Sequence, residues 1–196
     1  MRSVTASQRF EPWLFYGGSV ALDFVNTLRD RATTPRETLT SPETLRVWAG
    51  QARLVPPESG FGVETSITDQ DLSDCLDLRE SIDALLVPQT ALHSRHILLV
   101  NRWAAAAPRQ EIDESDPELV ITKMASIENV FGVLAADAIS IIAQGEQSRI
   151  KVCSHQRCGI RFIDRSRSQQ RLWCSMQRCG NRAKVARHAA GRDNKS

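Results

Sequence analysis

The feature that most constrains this chain is the spacing of four cysteines near its C-terminal end. Cys153 and Cys158 have four residues between them, fifteen more follow, and Cys174 and Cys179 are again separated by four. Four thiolates close a tetrahedral shell at about 2.3 Å from a zinc ion, and two short loops facing each other can supply that geometry. The gap of four lies at the upper end of the usual ligand spacing, and the separation of fifteen suits a zinc-ribbon or treble-clef-like pair of knuckles. Mononuclear iron takes similar ligands, but zinc is the expected ion. An all-cysteine shell leaves no position for water or substrate, so a single structural Zn2+ is expected and hydrolytic metal catalysis is disfavoured. His155, between the first two cysteines, is expected to meet phosphate or solvent rather than to replace a thiolate.

The segment around the quartet needs a metal for a second reason. Its apolar side chains, Ile150, Val152, Ile160, Phe162, Ile163, Leu172 and Trp173, amount to two short strands' worth of burial, too little for an independent core of this size. Ile150 to Val152 and Ile160 to Ile163 read as a β-hairpin around the first knuckle, followed by a loop from Asp164 to Ser168. Ser175 can cap a helix running from Met176 to about Ala190. On such a helix Cys179, Ala183, Ala186 and Ala190 share one narrow face towards the metal. Arg178 and Arg182 flank that face on one side and Lys184 and Arg187 on the other, with Asn181 and His188 pointing away.

Charge divides the chain at the same place. Residues 1–148 carry 12 Lys/Arg and 21 Asp/Glu, net −9, whereas residues 149–196 carry 13 Lys/Arg and 2 Asp/Glu, net +11. A basic, metal-stapled segment on an acidic body points to a polyanionic partner. Arginine and lysine would hold phosphates and Asn181 could read an adenine edge, with Arg165, Arg167 and Arg171 adding backbone contacts from the loop. The plainer alternative is a solvated basic face.

The body, residues 1–147, reads as helical. WLFY followed by Gly17-Gly18 suggests a short strand and a turn, and SVALDFVNTLRD a helix with Ala21, Phe24, Val25 and Leu28 on one face. Ser41-Pro42-Glu43 opens a second helix through Leu45, Trp48 and Ala49. Residues 50–67, with Pro56-Pro57, Gly60 and Gly62, read as loop. Asp69 to Val87 is helical, with Leu72, Cys75, Leu78, Ile82 and Leu85 on its apolar stripe and Pro88 at its end; Cys75 is most simply a core residue. A helix from Thr90 to Ala107 carries Leu92, His96, Leu99, Trp103 and Ala106. After an acidic loop, EIDESDPE, the longest helix is expected from Glu118 to about Gln144, with Val120, Met124, Ile127, Phe131, Leu134, Ala138 and Ile141 as the spine of a bundle or, alternatively, a homodimer seam. Gly145 would cap it and QGEQS would form a hinge. The fold class is therefore mainly α: a helical domain with a short β element, joined over residues 148–196 to a small four-cysteine, zinc-ribbon-like module of one hairpin and one helix.

The N-terminus lacks the apolar run of a secretory signal, and no apolar stretch of about 18 residues occurs. A reducing cytoplasm is the expected compartment, with no membrane partner.

Over CGIRFIDRSRSQQRLWCSMQRCGNRAKVARH the chain resembles the CGNR zinc finger family, named for the tetrapeptide Cys179-Gly180-Asn181-Arg182. The resemblance includes the F-x-D-x-S-R loop (Phe162, Asp164, Ser166, Arg167) and W-C-S-M (Trp173 to Met176). Leu172 departs from it, since the family commonly has a second arginine before the tryptophan. GGSVALDFVNTLRD resembles the signature of the ABATE domain usually joined to that finger, through Gly17, Gly18, Leu22, Asp23, Phe24, Val25, Asn26 and Thr27. The resemblance implies a bacterial, stress-linked transcription regulator; DNA, in a promoter region, is the expected partner.

Asp23, Asn26 and Thr27 stand at i, i+3 and i+4, on one edge of the first helix. They are expected either to tie that helix to the C-terminal module or a loop, or to line an effector pocket with His96, Trp48 or Trp103 as walls. His96 is more simply a satisfied core histidine. The sequence thus favours a non-enzymatic, zinc-dependent DNA-binding regulator. An RNA-binding or protein-adaptor zinc module with a ligand-sensing body is the alternative. An enzyme built on Asp23 and His96 has neither a nucleophile nor a phosphate loop to support it.

Overall fold

The structure is a computed structural model that describes residues 13–31, 33–55, 66–87, 93–112, 114–115, 120–122, 126–156 and 158–186. The expectations placed on Pro56-Pro57, Gly60, Gly62, Pro88, Leu92, Glu118, Met124, Arg187, His188 and Ala190 fall outside these residues.

Five helices make the body: α1 (Val20–Val25), α2 (Pro42–Gln51), α3 (Asp69–Leu86), α4 (Ser94–Ala104) and α5 (Ile127–Ala143). Helix α2 begins where its sequence dictates. The Ser41 side chain accepts from the Thr44 N–H, the Thr44 hydroxyl accepts from the Ser41 N–H, and Pro42 takes the first turn, where no donor is needed. Thr68 and Asp71 form the same reciprocal cap on α3. Helix α5 is the spine of the bundle, packed on α1, α3 and α4. It buries Val130, Phe131, Leu134, Ala135 and Ala138 completely. Trp103 meets Phe131 edge to face at 4.9 Å, and a Cβ at Gly132 would lie 2.3 Å from the Ala107 nitrogen, so glycine there lets the end of α4 approach. Cys75 is fully buried in this core, and burial pushes its thiol pKa up. Among the described residues no helix is long and apolar enough to cross a membrane.

Several expectations are corrected. Helix α4 begins at Ser94, after an extended His93, rather than near Thr90, and ends at Ala104. WLFY forms no strand and runs as irregular chain into Gly17. The first helix stops at Val25. Leu28–Arg29 (β1) then pairs with Arg36–Glu37 (β2), so Leu28 leaves the helical face. Asp30 turns this hairpin at φ 54°, a conformation that aspartate tolerates. The long helix starts nine residues late, because the β-branched run Val120–Thr122 (β4) pairs with Gln110–Ile112 (β3). Ser126 then caps α5 through a reciprocal bond with Asn129.

The C-terminal hairpin is as the sequence predicts: Ile150–Val152 (β5) pairs with Arg161–Ile163 (β6). Gly145 adopts φ 67° just past α5, but the expected hinge is a 3-10 turn, Glu146–Arg149. Gln147 donates to the Leu85 carbonyl and Glu146 grips Arg165, which fixes the turn to both halves. The terminal helix also differs. It opens with a π turn, Met176–Gly180, and continues helically over residues 181–186. The wider first turn rotates the later residues, so Ala183 is half-buried and Ala186 is exposed rather than facing the metal side.

Candidate metal centre and adjoining basic surface

All four cysteines of the quartet are buried, and their sulfurs lie within 4.8 Å of one another. The Cys158 and Cys174 sulfurs are 3.6 Å apart and those of Cys174 and Cys179 are 3.8 Å apart. A tetrahedron with bonds of about 2.3 Å has edges of about 3.8 Å, so the donor set fits one zinc ion. The backbone builds this cage. Cys153 N–H donates to the Ile160 carbonyl and Cys158 N–H to the His155 carbonyl, which folds the first knuckle around Gly159 at φ 63°. The Ile160 N–H points back to the Cys158 sulfur. In the second knuckle the Ser175 carbonyl accepts from the N–H groups of Cys179 and Gly180, and Ser154 N–H donates to the Leu172 carbonyl across the two loops. Hydrogen bonding from Cys174 pulls the Cys158 thiol pKa down, while the Cys158 neighbour and burial push that of Cys174 up. Four ionised thiols at this spacing require a cation between them.

The loop after β6 turns on Asp164. Its carboxylate is covered by its own loop and accepts from Ser166 N–H, Ser166 Oγ, Arg171 N–H and Lys151 Nζ. Lys151 foremost, then Ser166, holds this carboxyl well below the usual carboxylate range. Arg171 is exposed, but its guanidinium folds back on the finger: it donates to the carbonyls of Trp173 and Cys174 and lies 4.7 Å over the Phe162 ring. Arg165 donates to both oxygens of Glu146 and to the Gly18 carbonyl. Arg167, Asn181, Arg182 and Lys184 are exposed, and Arg178 is half-buried. Asn181, Arg178 and Arg182 line a groove of about 690 Å³ together with Tyr16, Gln177 and Val185.

Asp23, Asn26 and Thr27 each meet a different part of the fold. Asp23 Oδ1 accepts from Gly17 N–H at 2.8 Å, and a Cβ at Gly17 would strike Leu22 and Asp23. Burial raises the Asp23 carboxyl to about 7, with the Gly17 N–H opposing the shift. Asn26 pairs with the Arg161 backbone through both N–H and C=O at 2.9 Å. Thr27 donates to Phe24 O and accepts from Arg79. Arg79 also holds both oxygens of Glu37 and one of Glu80. Arg31 then bridges Glu80 and Asp83, and Arg161 lies 3.0 Å from Asp83. The chain of charges thus runs from the β1–β2 hairpin across α3 to strand β6. His96 stands apart, half-buried, its Nδ1 3.0 Å from Ser81 Oγ. Trp48 and Trp103 are core residues.

Sequence reasoning did not single out Arg79 or Arg29. Arg79 carried a weak signal, a lone cation four residues past Cys75 beside the apolar stripe of α3. Arg29 carried none, because its place beside the distant Arg178 depends on the β1–β2 hairpin.

Residues 18–145 match the model of the ABATE family, described as "Putative stress-induced transcription regulator", and residues 149–192 match the CGNR zinc finger. No curated protein matches the chain.

Proposed function

Since the chain belongs to the ABATE family and ends in a CGNR zinc finger, we propose that it is a non-enzymatic transcription regulator. Its zinc-fixed finger grips promoter DNA, and its helical body supports and regulates that grip. One observation carries the reading: Asn181, Arg182 and Lys184 are exposed on the turn directly after Cys179, a buried member of the metal cage. The metal fixes the helix start, and the helix start presents the cations and the amide to a groove. The division of charge, −9 on residues 1–148 against +11 on residues 149–196, supports approach to DNA finger first. Arg178, Arg182, Lys184, Arg187 and the exposed Arg167 hold phosphates, and Asn181 reads a base edge. Arg165 and Arg171, whose guanidiniums are engaged within the fold, act mainly by holding the loop and raising the local potential.

The experiment is fluorescence anisotropy of the zinc-loaded chain with duplex DNA and with a structured RNA at several salt concentrations. About five engaged phosphates give a slope of log K against log salt of roughly −4 to −5. Asn181→Ala is expected to cut preference for the best duplex about tenfold and leave non-specific affinity nearly unchanged. A flat salt response defeats the reading. Tighter binding to RNA would transfer the same surface to the RNA-binding alternative.

A further inference from the structure

Beside the groove at Asn181 lies a second pocket, of about 520 Å³, formed where the irregular segment before Gly17 passes the β1–β2 hairpin and the finger helix. Its walls are Trp13, Leu14, Phe15, Tyr16, Arg29, Arg178 and Arg182. Three guanidiniums and three aromatic rings therefore share one cavity, with no carboxylate among its described lining residues. Arg29 is 8% exposed, and neither its Nε nor the buried Nη1 of Arg178 has a hydrogen-bond partner among the described residues. A buried guanidinium nitrogen without a partner is costly, and here two neighbouring arginines carry one each. Burial first, and then repulsion from Arg178, pulls the Arg29 pKa down. Arg36 adds to the repulsion, while Asp30 and Cys158 offset it in part.

We propose that this pocket binds a small planar or aromatic carboxylate or phosphate, its anionic head between Arg29 and Arg178 and its ring against the aromatic wall. The volume lies in the range of small-molecule sites. The depth of Arg29 favours a small ligand over a backbone phosphate of duplex DNA, whose flanking sugars keep it at the surface. Rings beside guanidiniums select a flat anion over a bare one. The regulatory half of the inference rests on the DNA reading above: Arg178 and Arg182 belong to both surfaces, so the anion competes with DNA. Each ligand then weakens the other by the same factor.

Calorimetry on the full zinc-loaded chain without DNA tests the site. Benzoate or phenyl phosphate should bind with 1:1 stoichiometry and at least tenfold more tightly than acetate or inorganic phosphate, and neutral benzamide should not bind. The better of the two ring anions identifies the head group. Arg29→Met should lose at least tenfold in that affinity, keep one zinc, and raise the melting temperature by roughly 2–4 °C, since it removes a buried charge that is only partly compensated. Tyr16→Ala should narrow the preference for ring anions over bare ones. The proposal is overturned if no ring anion binds or if inorganic phosphate binds as tightly as phenyl phosphate. It is also overturned if Arg29→Met lowers the melting temperature or releases zinc, because Arg29 then serves the thiolate cluster. Should Arg29→Met fail to fold, Arg29→Lys must still weaken the ring anion, and unchanged affinity sinks the site. Anisotropy with labelled DNA, with and without saturating phenyl phosphate, reads the competition, and at least a threefold loss of DNA affinity is expected. Because calorimetry uses no DNA, failure of DNA binding leaves the pocket intact, and failure of the pocket leaves DNA binding measurable.

Discussion

In the body, Phe24, Trp48 and Phe131 are closed off from water together with leucines such as Leu22, Leu45 and Leu134, whereas in the finger the large fully buried side chains are Ile160 and Phe162. Four cysteines fill the rest of the finger's centre. Burial of Ile160 and Phe162 contributes about 2–3 kcal/mol each, against roughly 10–16 kcal/mol from a structural zinc in a module of this kind. One region is therefore held by apolar packing and the other by coordination. Yet the two cores are not separate. Leu14 packs on the finger's core, and Ile163 of the finger belongs to the body's. A small polar surface knits the seam: Ile163 N–H donates to Gly17 O, Arg165 to Gly18 O, and Asn26 closes on the Arg161 backbone.

This contrast predicts how each half responds to damage. The largest effect is metal removal. A strong chelator, or Cys174→Ser, should remove most of the finger's roughly 10 kcal/mol of metal stabilisation and abolish nucleic-acid binding, while far-ultraviolet circular dichroism retains the helical signal of α2 to α5. Collapse of that signal together with the finger would show that the body cannot stand without it.

Asn26→Ala comes next. It strands the N–H and C=O of Arg161 in a buried position, at a cost of roughly 2–4 kcal/mol. Because that pair crosses the seam, differential scanning calorimetry should show the finger's transition separating below the body's. A single transition, merely shifted, would mean that the finger and body unfold as one unit.

The smallest effect belongs to Asp23. Its carboxyl ionises near pH 7 in the folded chain, against an ordinary value of 3.8. Between those values the folded state holds a proton that the unfolded state lacks, so stability falls as pH rises through the window. Asp23→Asn keeps an acceptor for Gly17 N–H and should flatten that fall, adding on the order of 2 kcal/mol at pH 8 and almost nothing at pH 4 in urea melts. Parallel curves for the two proteins would place the carboxylate in a more polar setting than its burial implies.

Much of the architecture was legible in local signals. Ser41-Pro42 announced α2, the stripe through Cys75, Leu78 and Ile82 announced α3, and the cysteine spacing announced the cage and its hairpin. The errors came where local pattern and distant partner disagreed. SVALDFVNTLRD has helical periodicity throughout, but Asn26 spends its amide on Arg161, 135 positions away, and the chain beyond it pairs as a strand. ELVITKMAS fits a helix by apolar spacing, but its β-branched residues find a partner strand and Ser126 offers the better cap. From Met176 an even 100° per residue puts Ala183 and Ala186 on the face of Cys179, but the π turn Met176–Gly180 rotates them off it.

The sequence by itself determined the chemistry that needs no long-range information: a quartet of thiols at ligand spacing, a basic segment around it, and a helical body with defined caps. Tertiary structure alone decided which charges have company. It paired Arg79, Arg31 and Arg161 with acids across α3 and turned Arg165 and Arg171 back into the fold. It also set Arg29 and Arg178 beside each other, each with a buried nitrogen unpaired among the described residues. The reason is physical. Thiol spacing and capping act over a few residues, whereas the energy of a buried charge depends on what the folded chain brings within a few ångströms of it.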